Sequence, residues 1–264
     1  MCNREPTGQR RLTPRLRRRR VAQRGTTLVE LMIGIAVGLM VLATALGSLT
    51  VSRAASAVVG DLGQLQSQAG FALRIIGQQV RQAGSVEPAR DPVTRLYAFA
   101  DTDSDAANGT VVVTGTDGGT PGFDTLTVSR EDAPQTDRVR LDCLAESVRT
   151  DNRIESSFFV SNGELRCRTA DKNQPLIGGV TDFQVRYRVR QADGGTQRLT
   201  ATQVAAATRW PAVHAVEVCL ELQGNEGGMP SGSTRDCEGR QAALGGRLRL
   251  VVHHVFDLRT RGER

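Results

Sequence analysis

Hydrophobic and polar positions fall into three regimes along the chain. Residues 26–51 are apolar almost without interruption, with Glu30 as the single charge, and a helix of that length at about 1.5 Å per residue spans a bilayer. Beyond Val51 the pattern turns amphipathic. Leu62, Leu65, Ala69, Ala72, Ile76, Val80 and Ala83 recur every three or four residues, while Asp61, Gln64, Gln68, Arg74, Gln78 and Arg81 occupy other faces, which is the helical period. With no proline between Thr27 and Pro88, one helix is predicted from about Thr27 to Ala83, ended by Gly84 and the following Pro88 and Pro92.

The third regime has the period of strands. Asp124 to Ser129 and Arg138 to Cys143 are short β-prone runs, and Ser157 to Cys167 predicts a hairpin turning at Asn162-Gly163. Phe183, Val185, Tyr187 and Val189 alternate with Gln184, Arg186, Arg188 and Arg190, the mark of a half-buried antiparallel strand, and Asp193-Gly194-Gly195 then turns the chain. Val216 to Leu222 and Leu248 to Leu258 repeat the alternation. Residues 89–122 show no such pattern and are expected to be loop. The predicted fold class is α+β, a long N-terminal helix packed on an antiparallel sheet.

Charge assigns a direction to this arrangement. Residues 1–25 hold nine arginines against one glutamate, +8, so the net +6 of the whole chain leaves about −2 for the remainder. Arginines ahead of an apolar span hold that end in the cytoplasm and send the rest outward. A carboxylate deep in hydrocarbon costs roughly 2.5–3.5 kcal/mol, so Glu30 calls for a partner. The nearest is the amine that a cut after Gly25 would free on Thr26.

The run Arg24-Gly25-Thr26-Thr27-Leu28-Val29-Glu30 through Gly38 resembles the type IV prepilin signature: a basic leader, a glycine at the cut, and glutamate as the fifth mature residue. The resemblance implies cleavage between Gly25 and Thr26 by a prepilin peptidase, N-methylation of Thr26, and Glu30 as the carboxylate that meets a neighbour's terminal amine during assembly. Threonine departs from the usual Phe or Met at the first mature position. The competing readings are a secretory signal cut after Ala43-Thr44-Ala45, before Leu46, and an uncleaved signal anchor; the first has a shorter apolar core and no use for Glu30. Gly34 and Gly38 form a small-xxx-small face suited to close helix packing in lipid, or reflect the tolerance of membrane helices for glycine.

Further along, Gly70-Phe-Ala-Leu73, Asp124-Thr-Leu-Thr-Val128, the Asn162-Gly163 hairpin, Pro175 to Tyr187, Trp210 to Val218 and Arg247 to Arg259 resemble the PilW family of minor pilins. The family implies a subunit that prims pilus assembly and supports adhesion, twitching motility or DNA uptake. Its implied partners are the prepilin peptidase, other minor and major pilins, the inner-membrane assembly platform and membrane lipid. The implied layout is a leader (1–25), a transmembrane and filament-core helix (26–51), its amphipathic continuation (52–84) and a β-rich head (85–264). Such a protein sits in the bacterial inner membrane with its head in the periplasm, then in the pilus fibre. A minor pseudopilin of type II secretion shares the N-terminal apparatus, and a signal-anchored envelope enzyme or ligand-binding domain is the alternative of another class.

Outside the leader the cysteines number four, Cys143, Cys167, Cys219 and Cys237, an even count in a compartment where disulfides form. Of three possible pairings, Cys143 with Cys167 and Cys219 with Cys237 is favoured because each closes a short loop between neighbouring predicted strands, at about 3 kcal/mol per loop. Without a Cys-x-x-Cys unit a zinc site is disfavoured. The aspartates of Asp101 to Asp105 begin like a calcium loop, yet Ala106 and Val112 stand where that template needs Gly and Glu. No metal or other cofactor is expected.

Catalysis is not expected either. His214, His253 and His254 are the only histidines, His254 falls on the apolar row of its strand as a core residue, and no nucleophile elbow or phosphate-cradling loop appears. Arg186, Arg188 and Arg190 share a strand face and could meet phosphates, but 4% aromatic content and a slightly negative mature chain argue against nucleic acid as a partner.

Overall fold

A computed structural model describes residues 25–85, 112–118, 122–131, 141–145, 153–227 and 232–258. The leader, Pro88, Pro92, the Asp101 to Asp105 run and the predicted strand residues Arg138 to Arg140 lie outside these. The chain divides into two compact units, Met1–Ser52 and Arg53–Arg264.

Helix α1, Leu28–Gln82, has no break. The helix stops at Gly84, whose φ of +74° suits a residue without a Cβ and whose N–H donates to the Ser129 carbonyl at 3.0 Å. Within the second unit its buried face is Asp61, Leu65, Ala69, Ala72, Ile76, Val80 and Ala83. Two expectations change here. Leu62, assigned to the apolar row, lies one residue off that face and is 36% exposed, whereas Asp61, assigned to a polar face, is buried. The Asp61 Oδ1 accepts the Asn225 N–H at 3.2 Å, and Gly224 leaves room for it, since a Cβ there would meet Oδ2. A backbone donor from a distant strand thus outweighs the side chain's polarity.

Eleven strands are described: β1 (Val113–Thr116), β2 (Thr125–Glu131), β3 (Arg153–Ser161), β4 (Glu164–Arg168), β5 (Asn173–Ile177), β6 (Val180–Arg190), β7 (Thr196–Leu199), β8 (Val213–Gly227), β9 (Ser233–Arg235), β10 (Gln241–Ala243) and β11 (Arg247–Asp257). They form a five-stranded sheet in order β1-β2-β3-β4-β5, a four-stranded sheet in order β11-β8-β6-β7, and a two-stranded β9-β10 ribbon, and every pairing is antiparallel. The head therefore holds separate sheets where alternation alone suggested one. The division falls at Gly178-Gly179, where Gly179 has a φ of +72° and turns the chain between β5 and β6.

The local pattern accounts for most of the strands. Asn162 and Gly163 both have positive φ, 54° and 72°, as a two-residue hairpin turn between paired Ser161 and Glu164 requires. Strand β1 is a correction, since residues 89–122 were expected to be loop. Val113-Thr-Gly-Thr116 is too short and too small-sided to alternate visibly, and pairing with β2 makes it a strand. The expected strand Arg138 to Cys143 also fails within the described residues: Leu141 forms an isolated bridge, and the chain turns as the Asp142 Oδ1 accepts the Leu144 N–H at 2.8 Å.

One hydrophobic cluster joins the buried face of α1 to Leu126, Phe158 and Leu165 of the first sheet and to Phe183, Val185, Val218, Leu220 and Phe256 of the second. Burying a side chain of this size stabilises by about 1.5–3 kcal/mol. The approach is tight at Gly77, where a Cβ would run into the Phe256 ring. Tyr187 is fully buried, donates to the Thr114 carbonyl at 3.4 Å and meets the Trp210 ring edge-on at 4.9 Å; burial pushes its hydroxyl pKa well up, so it stays protonated.

Helix α2, Ala201–Ala206, follows β7 and is capped twice. Thr200 and Gln203 form a capping box, and Asp117, far away in sequence, accepts the Ala201 and Thr202 N–H groups at 2.8 and 2.9 Å. Burial pushes the Asp117 carboxyl up, but hydrogen bonds from Thr200, Thr202 and Ala201 outweigh it and hold the pKa below its usual value. A carboxyl depressed in the folded state contributes stability above its unfolded pKa of about 3.9, and that contribution is lost as pH falls through the folded value. Asp117→Ala is expected to cost about 1–2 kcal/mol at pH 7 in urea melts of the full chain, on the scale of a lost cap. The gap between variant and parent should close as pH falls below about 4.

Candidate functional site

Gly25, Thr26 and Thr27 are irregular, and α1 starts at Leu28. The Thr27 Oγ1 accepts the Glu30 N–H at 3.3 Å, and its carbonyl accepts the Leu31 N–H at 3.1 Å, so Thr27 caps the helix. Glu30 then falls in the first turn, where the helix dipole favours a negative charge. Thr27 and Glu30 have the spacing of a capping box. Local physics thus gives this acid a place at the helix start.

Every residue from Gly25 to Ala57 is exposed, including large apolar side chains such as Leu31, Ile33, Leu39, Val41 and Leu46. A contiguous apolar surface of this extent marks contact with lipid or another chain, and α1 is long and apolar enough to cross a membrane. The hydroxyls in the span are satisfied within it. Thr44 donates to the Val41 carbonyl at 2.9 Å, Ser48 to Ala45 at 2.9 Å and Thr50 to Gly47 at 2.8 Å, which removes most of the cost of a hydroxyl in hydrocarbon. Nothing lies within 4 Å of the position a Cβ would take at Gly34 or Gly38, so that stripe is open to close approach.

The head carries a second group of polar residues, on the outer row of the four-stranded sheet. Arg186 pairs with Asp124 at 3.1 Å, while Arg188 and Arg198 both reach Glu217, at 3.6 and 2.9 Å. Burial pushes the Glu217 carboxyl up, but the Arg198 hydrogen bond and the charges of Arg198, Arg188 and His253 outweigh it, so its pKa is lowered. Two of the three arginines that could have met phosphates are therefore committed to carboxylates. Asp124 also accepts the Val185 and Gly118 N–H groups, at 2.8 and 3.0 Å, joining the entry to β2 to β6.

The structure contains the disulfides Cys143–Cys167 and Cys219–Cys237. The first ties the 141–145 turn to β4; the second ties β8 to the turn between β9 and β10. Among the described residues, no group of three or more His, Cys, Asp or Glu side chains is arranged to hold a metal. His254, expected in the core, is exposed, its ring 4.4 Å from that of Phe256. Strand β11 is an edge strand whose inward row is covered at Phe256 but only half-covered at Leu248, Leu250 and Val252. The most deeply placed ion pair, Glu221 with Arg249, was invisible in sequence. Glu221 lies on the polar row of β8 and is buried, with the Arg249 guanidinium of β11 paired to it and the Thr181 hydroxyl of β6 donating to it.

Residues 147–259 match the family PilW, described as Type IV Pilus-assembly protein W, which is under half of the chain. Among solved structures the chain is similar to the Type IV-like pilin TTHA1219 from Thermus thermophilus, with 14% identity, a TM-score of 0.43, and coverage of 74% of this chain and 95% of that one. No curated protein matches it in sequence.

Proposed function

For a chain whose residues 147–259 match the PilW family, we propose the role of a minor pilin that takes part in priming pilus assembly. In this reading the peptidase cuts between Gly25 and Thr26, Thr26 becomes the methylated terminus, and the Glu30 carboxylate binds the amine of a neighbouring subunit. Residues 26–51 insert in the inner membrane and later in the filament core, 52–84 continue the helix, and 85–264 form the head on the periplasmic side. The other pilins and the inner-membrane assembly platform are its partners, and Gly34 and Gly38 let helices approach closely. The carrying observation is a lone carboxylate in the first turn of an exposed apolar helix, four residues beyond a glycine-threonine junction.

Mass spectrometry of the N-terminal peptide, on protein recovered from peptidase-competent cells, tests this directly. The expected product begins at Thr26 and carries one methyl group. A chain starting at Leu46, or one retaining its leader in assembled fibres, overturns the reading.

A further inference from the structure

Each of the two larger sheets ends in two edge strands, and three of these four edges are blunted. Strands β1 and β7 are four residues long, and β5 is five with Pro175 within it. Strand β11 runs for 11 residues without a proline, and among the described residues no strand pairs with its far side. An open edge of this length is a template for another strand. The Leu258 N–H donates to the His214 carbonyl at 2.8 Å, in register with the β8–β11 ladder, so the even-numbered residues of β11 turn their backbone groups to β8. Alternate residues of an antiparallel ladder turn theirs away, which leaves those of Arg249, Val251, His253, Val255 and Asp257 on the free side. Beside them Leu248, Leu250 and Val252 of the inner row are only half-covered.

We propose that β11 docks against the β11 of a second copy of this chain, antiparallel, about a twofold axis at Val252. Charge selects both the partner and the register. The strand begins at Arg247 and ends at Asp257, both exposed, and among the described residues neither side chain has an ion-pair partner. With Val252 opposite its own copy, Arg247 faces the partner's Asp257 and Asp257 faces the partner's Arg247. Opposite charges thus close both ends of the ladder. Parallel pairing would set arginine against arginine and aspartate against aspartate, which is unfavourable for residues directly opposed.

The positions between the ends agree with this register. Leu248 meets the partner's Phe256, Arg249 the partner's Val255, Leu250 the partner's His254 and Val251 the partner's His253, so no two like charges are directly opposed and every residue keeps its face of the sheet. The backbone groups that β8 leaves free face one another, as the hydrogen-bonded positions of an antiparallel ladder require. Two four-stranded sheets then become one, covering Leu248, Leu250 and Val252 on the inner side and Val251 and Val255 on the outer. A slip of two residues keeps the faces but draws the end charges apart. The contact goes beyond the minor-pilin reading, since it needs neither Glu30 nor the apolar part of α1.

Full-length protein, in membranes and in detergent micelles, supplies the test. Val252→Cys places a thiol opposite its own copy at a non-hydrogen-bonded position, where Cα atoms lie about 4.5 Å apart, within disulfide reach. Mild oxidation of the membranes should convert most of this variant to a cross-linked dimer. Leu250→Cys, displaced from its own copy along the strands, should cross-link roughly tenfold less. In micelles, sedimentation reads the charges: Arg247→Asp or Asp257→Arg alone sets like charges at both ends and should weaken association about tenfold. The double reversal, or an equimolar mixture of the two single variants, should restore it. Both positions are exposed, so thermal unfolding of the head should match the parent. Equal cross-linking by Val252→Cys and Leu250→Cys, association indifferent to the charge reversals, or a chain that stays monomeric at every concentration overturns the proposal. A Val252→Cys adduct with a different envelope protein gives the edge to a foreign strand and overturns it as well. No filament is needed for any of these readouts, so they stand apart from the fate of the assembly reading.

Discussion

Glu30→Ala is expected to leave the protein in the membrane, with its head folded, and to remove it from filaments. A carboxylate at depth in a bilayer opposes insertion by roughly 2.5–3.5 kcal/mol, so its removal should favour membrane retention. In an anchor alone the acid would serve only the helix start, where it complements the dipole by about 0.3–1 kcal/mol, less than this cost. In the assembly reading the same carboxylate meets a terminal amine in a low-dielectric interior, where a paired charge is strongly favoured and an unpaired one strongly disfavoured. Deleting the acid strands the neighbour's amine, and incorporation should fall at least tenfold. Glu30 is exposed and lies in the Met1–Ser52 unit, so thermal unfolding of the head should not change. Immunoblots of sheared filaments and of membranes give the two readouts. Normal incorporation of Glu30→Ala would count against the pilin mechanism and favour a plain signal anchor.

How legible the molecule was in its sequence depended on the range of the interaction concerned. The helix and the Asn162-Gly163 turn rest on local rules, a 3.6-residue period and two positive φ values, and the structure reproduces them at Leu28–Gln82 and Ser161 to Glu164. Asp61, β1 and His254 misled because each is decided by something distant. Asp61 finds the Asn225 N–H across the head, Val113–Thr116 finds β2, and His254 lies on an edge strand left half-covered. The candidate site divides in the same way. The Gly25 to Glu30 motif is contiguous and could be read at once, whereas Asp117 beneath α2 and Glu221 beside Arg249 become neighbours only through the fold.

The Glu221–Arg249 pair supports the largest stability change expected in the head. Glu221 is fully buried on β8, accepts a hydrogen bond from Thr181 Oγ1 at 2.7 Å through Oε1, and pairs with the Arg249 guanidinium through the same oxygen. Arg249 also donates to the Ala243 carbonyl at 3.0 Å, so the side chain links β11 to the β9-β10 ribbon. Asp182 sits alongside: burial pushes its carboxyl pKa up, the Gln184 hydrogen bond lowers it, and the charges of Glu221 and Asp236 raise it further. Removing Arg249 leaves an uncompensated carboxylate among other acids, a change that costs about 3–5 kcal/mol when one partner of a buried pair is lost. For a unit of this size each kcal/mol shifts the midpoint by about 2–4 °C, so Arg249→Met should lower the head's Tm by roughly 6–20 °C. Replacing both residues removes the stranded charge along with its partner. Glu221→Met combined with Arg249→Met should therefore recover most of the loss, because buried pairs exchanged for apolar groups of similar volume are often neutral or stabilising. Calorimetry on the two single variants and the double variant measures the coupling. Equal destabilisation by Arg249→Met and by the double replacement would mean that packing of the arginine stem, and not neutralisation of Glu221, is what holds this face of the sheet.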